Sequence, residues 1–160
     1  MRPLLIERQS LVKLSERAAG LPRLRANWNL HEMEDPVHRL FNALEPGTYI
    51  RPHRHLNPPR TETILAVRGA VGVILFDEMG MRQEACLLTA AGSALGMHLP
   101  PETWHALVAL EGGTVFFETK EGPYVAPAGN DVASWAPPEG TPEAAVFEST
   151  WRGFFLEKPR

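Results

Sequence analysis

The sequence predicts an all-β protein, and three observations carry that prediction. Between residues 48 and 120, short apolar and β-branched runs recur at near-regular spacing, with no helical periodicity between them. Breakers separate the runs: Asn57-Pro58-Pro59, Gly69, residues 77–80, Ala91-Gly92, Pro100-Pro101 and Glu111-Gly112-Gly113. The chain's 15 prolines and 13 glycines supply the many turns that a barrel or sandwich of short strands requires.

Taken in order, residues 10–19 predict a short amphipathic helix. Ser10 stands at its N-cap, Leu11, Leu14 and Ala18 space one apolar face, and Gly20-Leu21-Pro22 stops it. Residues 20–35 show no regular pattern. Arg23, Arg25, Asn27 and Asn29 there alternate with apolar residues, which fits a segment covering a barrel mouth or a solvated edge strand. Asp35-Pro36 suits the start of a helix through Leu44, because Leu40 and Leu44 fall four apart; a strand fits as well. Strands are expected at 48–53, 62–68, 70–77, 84–89, 94–99, 105–110 and 114–119. V-G-V-I-L-F and A-L-V-A-L are apolar on both faces, so one face lines the barrel and the other meets a second layer or a partner subunit. Beyond Pro127 the chain is rich in Pro, Gly, Ala and Ser. It ends in S-T-W-R-G-F-F-L, whose three aromatics are expected to pack back onto the barrel or a neighbour.

Composition narrows the function classes. At 160 residues the chain suits one domain with a real core. A net charge of −3 with no basic cluster gives no footprint for nucleic acid. The first ten residues lack the apolar stretch of a signal peptide, and no run approaches a membrane span, so a cytoplasmic location is expected. Cys86 is alone, which excludes an intrachain disulfide and a zinc site built on cysteines.

The chemistry concentrates in four residues. His53 and His55 form an H-x-H pair, Glu62 follows seven residues later, and His105 closes the set in P-P-E-T-W-H. In an extended segment both imidazoles of H-x-H lie on one face. Three imidazoles and a carboxylate suit one divalent transition metal ion, whether iron, manganese, nickel, cobalt or zinc. Parity places Tyr49 and Arg51 on the histidine face unless a bulge intervenes. It groups Glu62 with Ile64 and Ala66, and His105 with Leu107. Arg51 is a candidate for binding an anionic substrate, or else an ion-pair partner of a buried carboxylate. Tyr49 is a candidate proton donor or a packing ring. Trp104 walls the pocket or packs outside it. His31, His38 and His98 fall outside the pattern and are expected to be structural, and Glu102 to be exposed.

These residues resemble the two sequence motifs of the cupin superfamily. Gly47, His53, His55, Glu62 and Gly69 fill the first, with more residues than usual between His55 and Glu62. Gly92, Pro100 and His105 match the second, although Glu102 stands at its glycine and Ala109 at its asparagine. L-R-A-N-W-N-L-H, L-F-N-A-L-E-P-G-T-Y-I-R-P-H-R-H and G-P-Y are together similar to the WbuC family of cupin-fold metalloproteins, over roughly residues 20–140. The resemblance implies a cupin barrel, that is, a double-stranded β-helix or jelly roll, with a short N-terminal helical extension, and it favours the strand for the stretch after Pro36. On that basis 1–160 is a single domain: 1–35 the extension, 36–125 the barrel core, and 126–160 a tail packing on the barrel or a partner. It further implies a bound divalent metal, a small anionic sugar-related ligand, a link to bacterial surface polysaccharide, and a homodimer. Two other readings stand beside it: a non-haem iron dioxygenase of a small organic acid, and a non-catalytic ligand-binding or sensing cupin.

Overall fold

Alternation of side chains along eight strands builds two antiparallel sheets in this computed structural model, which describes residues 3–127 and 129–156. The larger sheet runs, edge to edge, β1 (Arg25–Asn29), β2 (Val37–Leu44), β8 (Thr114–Glu121), β3 (Glu62–Arg68) and β6 (Gly96–Leu99). The smaller runs β5 (Arg82–Thr89), β4 (Ala70–Phe76) and β7 (Trp104–Ala109). Their inner faces share one core, in which Leu44, Ile64, Val71, Val73, Leu88, Leu107 and Phe116 interdigitate.

Each outer face has its own cover. Helix α1 (Arg8–Ala19) buries Leu11, Leu14 and Ala18 against Ala26, Phe41, Ala43 and Val115 of the larger sheet. Helix α2 (Pro142–Leu156) lays Trp151, Phe154 and Phe155 over Ile74, Phe76, Ala106 and Val108 of the smaller one. Gly72 makes the second packing possible, since a Cβ there would strike the Phe155 ring. The second apolar face of β4 and β7 is therefore met by the chain's own tail, and it gives no separate ground for a second copy.

Several elements differ from the sequence reading. Helix α1 starts two residues early: Glu7 is its N-cap without a side-chain bond, and the Ser10 N–H bonds the Glu7 carbonyl from inside the first turn. The stretch after Pro36, where spacing left helix and strand open and the cupin resemblance favoured the strand, is indeed strand β2, because both its faces are covered, one by the barrel interior and one by α1. Residues 25–29 take the edge-strand alternative, pairing with β2 at the sheet edge. Residues 48–53 form no regular strand: Pro52 carries no N–H for a ladder, and the segment pairs only through isolated bridges from His53 to His105 and Val132. Helix α2 was not anticipated, although its start is marked by Thr141, whose Oγ1 accepts from the Ala144 N–H, and by Pro142 in its first turn.

Candidate metal centre

The site lies where the irregular H-x-H segment meets β7 and β3. His53 and His105 exchange backbone hydrogen bonds, N to O at 3.1 and 3.0 Å, so the segment is stapled to the start of β7. Along β7, Trp104, Ala106 and Val108 face α2 while His105, Leu107 and Ala109 face the barrel. Along β3, Glu62 continues the inward face of Ile64 and Ala66. The outcome is one cluster: ligand atoms of His53, His55, Glu62 and His105 all lie within 4.8 Å of one another.

The hydrogen bonds fix how the rings present themselves. Nδ1 of His53 donates to the Arg51 carbonyl at 3.2 Å, and Nδ1 of His105 to the Thr103 carbonyl at 2.9 Å. A carbonyl only accepts, so both protons sit on Nδ1 and both Nε2 lone pairs are available. Nε2 of His105 is fully buried with no hydrogen-bond partner. The His55 Nε2–H donates to Glu62 Oε2 at 2.7 Å. Burial, joined by the charge of His105, pushes His53 down to about 3; burial lowers His105 as well. Burial alone would raise Glu62, but the His55 hydrogen bond and the charges of Lys120, His105 and His53 outweigh it and hold the carboxyl well below its usual range. The lowered His53 and His105 and the lowered Glu62 favour neutral imidazoles and an ionised carboxylate, the protonation states that metal ligation requires.

Of the other residues singled out in the sequence, the structure brings neither Tyr49 nor Trp104 to this cluster. Tyr49 stacks on Trp151 with centroids 5.5 Å apart and donates its hydroxyl to the Pro137 carbonyl at 2.9 Å. Burial pushes its pKa up to about 12, against the charge of nearby Arg51. Trp104, next to His105 on a strand, necessarily faces the other way; its indole donates to Glu78 at 3.2 Å beneath the Arg54 guanidinium. The parity argument fails for Tyr49 because the chain between Ile50, which packs on the barrel core, and His53 is not a continuous strand. Arg51 is half-buried, with Nε unbonded and no carboxylate within 4.0 Å among the described residues. His98 is exposed and bonds Thr63, while His31 and His38 stack at 4.0 Å.

The sequence reading missed a second carboxylate. Thr114, Phe116, Glu118 and Lys120 share one face of β8, and Phe116 lies in the barrel core, so Glu118 and Lys120 point inward as well. Lys120 Nζ lies 2.6 Å from Glu118 Oε1, an ion pair off the angle of a hydrogen bond, and 3.9 Å from Glu62 Oε2. Asn42 donates to the other oxygen of Glu118 at 2.8 Å. Burial, then the charge of Glu62, raises Glu118, with Lys120 opposing. Burial would lower Lys120, but the two carboxylates outweigh it and keep the ammonium charged. Strand parity from Phe116 was the available signal. Polar residues on both faces at the end of T-V-F-F-E-T-K-E obscured it.

An antiparallel two-sheet barrel with three histidines and a glutamate converging inside it is a cupin fold with a candidate metal site. The chain belongs to the DUF6016 family, a domain of unknown function, whose sequence profile matches residues 6–88. No curated protein matches the sequence. Among solved structures, the TT1209 protein from Thermus thermophilus is similar over 73% of this chain and 95% of its own, at 17% identity and a TM-score of 0.52. A cupin-superfamily sugar phosphate isomerase from Silicibacter pomeroyi matches over 61% of this chain and 59% of its own, at 15% identity and a TM-score of 0.50. A mutant of Bacillus subtilis oxalate decarboxylase aligns with 84% of this chain, which spans only 35% of that enzyme, at 18% identity and a TM-score of 0.51. Likeness at this level establishes the fold. It supports the cupin resemblance, and none of these three structures is described as a WbuC protein. Among the described residues no helix is long and apolar enough to cross a membrane.

Proposed function

We propose that this protein holds one divalent transition metal ion through His53, His55, Glu62 and His105 and uses the site to bind or transform a small anionic, sugar-related molecule. The resemblance to WbuC proteins would place that molecule in bacterial surface polysaccharide biosynthesis. The observation that carries the reading is the buried Nε2 of His105, without a hydrogen-bond partner, among donor atoms gathered within 4.8 Å. A buried polar atom left unsatisfied is costly unless something absent from the chain engages it. When bound, the ion supplies a Lewis acid able to polarise a carbonyl or hydroxyl oxygen.

Glu118 gives the site its proton-moving group. It is not among the four ligand residues, one lysine nitrogen lies between it and Glu62, and burial raises its carboxyl while the His55 hydrogen bond and nearby charges lower that of Glu62. Two neighbouring carboxylates driven apart in this way are suited to separate roles, one to hold and one to exchange a proton. Asn42 and Lys120 orient the Glu118 oxygens.

The test is metal analysis of protein purified without chelators, beside the His53→Ala and His105→Ala variants, with circular dichroism to check the fold. About one equivalent in the parent and near none in folded variants is expected; full metal in either variant would overturn the assignment.

A further inference from the structure

Arg60 presents a buried guanidinium with no directly paired carboxylate among the described residues, beside the candidate metal centre. It is 6% exposed, the one arginine among the described residues that is almost wholly buried. One terminal nitrogen donates to the Pro123 carbonyl at 2.7 Å, but Nε is buried without a partner, and no carboxylate lies within 4.0 Å of the guanidinium among the described residues. Arg23, Arg25, Arg54 and Arg152 each have a glutamate. Glu121 is near enough for the Arg60 charge to help lower its carboxyl, but its oxygens accept from the Thr61 N–H and hydroxyl, so the buried guanidinium keeps donors free for an anion.

The surroundings say where that anion sits. Arg60 lines a small cavity of about 50 Å³ with His55, Lys120, Tyr124 and Asp131. Asp131 is engaged elsewhere, its Oδ1 accepting from the Leu56 N–H. Lys120 and Tyr124 also line a second cleft, of about 170 Å³, whose walls include Asn27, Asn29, His31, His38, Asn42 and Glu118. Amides and imidazoles both donate and accept, which suits hydroxyl groups. A guanidinium fork suits the paired oxygens of a carboxylate or phosphate.

We infer that Arg60, with Lys120, is the anion-binding subsite of this protein. Its ligand is a polyhydroxylated acid whose carboxylate or phosphate meets Arg60 and whose hydroxyls reach the amide-lined cleft. The inference rests on the metal-dependent reading above, and it moves the anion-binding role from Arg51 to Arg60.

The test is titration calorimetry on metal-loaded protein with inorganic phosphate, D-glucose 6-phosphate, D-glucuronate and, as the neutral control, D-glucose. At least one acidic probe is expected to bind tenfold or more tightly than glucose, and the two sugar arms separate phosphate from carboxylate. Arg60→Gln is expected to lose that tenfold preference with metal content unchanged, while Arg60→Lys keeps part of it. Without ligand, Arg60→Gln is expected to melt no lower than the parent, because it removes an unpaired buried charge. Equal binding of acidic and neutral probes, an undiminished preference in Arg60→Gln, or failure of that variant to fold would each overturn the inference. Metal content measured on the same samples keeps the two readings apart. A parent without metal sinks the metal site, whereas a metal-loaded parent with Arg60-independent anion binding sinks only this subsite.

Discussion

Acidifying the metal-free protein tests the protonation states of the cluster directly. His53 titrates near 6.5 in the unfolded chain and at about 3 in the fold, so between these values only the unfolded state takes up its proton. A histidine with a lowered folded pKa therefore contributes destabilisation that grows as pH falls from 6.5 towards 3. From pH 6.5 to pH 4.5, counting half-titration at the start, His53 alone removes about 2 kcal/mol. This is an upper figure, because part of the residue reaches solvent. His105, lowered by burial, acts in the same direction. Glu62 is silent in this window: its stabilisation is present above its unfolded value of 4.5 and is lost only below it. Glu118, raised in the fold, binds its proton more readily folded than unfolded, so it gains stability on acidification and offsets part of the loss. The expected net result is a fall in melting temperature of roughly 4–8 °C, read by calorimetry on chelator-treated protein, and a smaller fall in His53→Asn. A melting temperature that stays level or rises between pH 6.5 and 4.5 would refute the neutral, desolvated state assigned to these rings.

Three further outcomes follow from the same structure. Trp151→Ala, which empties the centre of the α2 interface with Tyr49, Phe76 and Phe147, is expected to cost about 3–5 kcal/mol in urea unfolding. Glu102 has φ of 66°, so Glu102→Gly is expected to relieve strain and to leave stability unchanged or raise it by up to about 1 kcal/mol, read in the same assay. Glu118→Gln is expected to keep the full metal content and to lower turnover on any substrate found by about 10²-fold or more, read from pH–rate profiles that lose one limb.

How far the sequence was legible depended on how regular each backbone segment is. Parity worked along β3 and β7, where an unbroken ladder forces Glu62 to follow Ile64 and Ala66, and His105 to follow Leu107. It failed at Tyr49, because the chain from there to His53 has no ladder to enforce alternation. Glu102 shows the motif logic from the other side: the position where the cupin pattern has glycine does adopt positive φ, so the turn geometry persists with a residue ill suited to it. The Glu102 N–H bonds the His55 carbonyl at 3.2 Å, so that turn also ties the two halves of the site together. Strand β1 stayed one of two readings because an edge strand with one wet face also reads like a covering loop, and α2 stayed hidden because its Ser, Thr and Gly interrupt the apolar pattern.

The deeper reason to read this barrel as a working site is the way it distributes charge. Its interior is wholly apolar around Val71, Val73, Leu107 and Phe116, as a core built for stability should be. Towards one end the same inward faces carry Glu62, His105, Glu118, Lys120 and Asn42, and Arg60 is buried close by. Among these, Lys120 is ion-paired with Glu118 and lies 3.9 Å from Glu62, whose carboxylate also accepts the His55 hydrogen bond. Glu118 Oε1 has only its ion pair with Lys120, while Nε2 of His105 and Nε of Arg60 have neither a hydrogen-bond partner nor a direct ion pair, the first asking for a cation and the second for an anion. A fold under selection for stability alone has no use for either, and a single ligand that coordinates metal while carrying an acid group satisfies both.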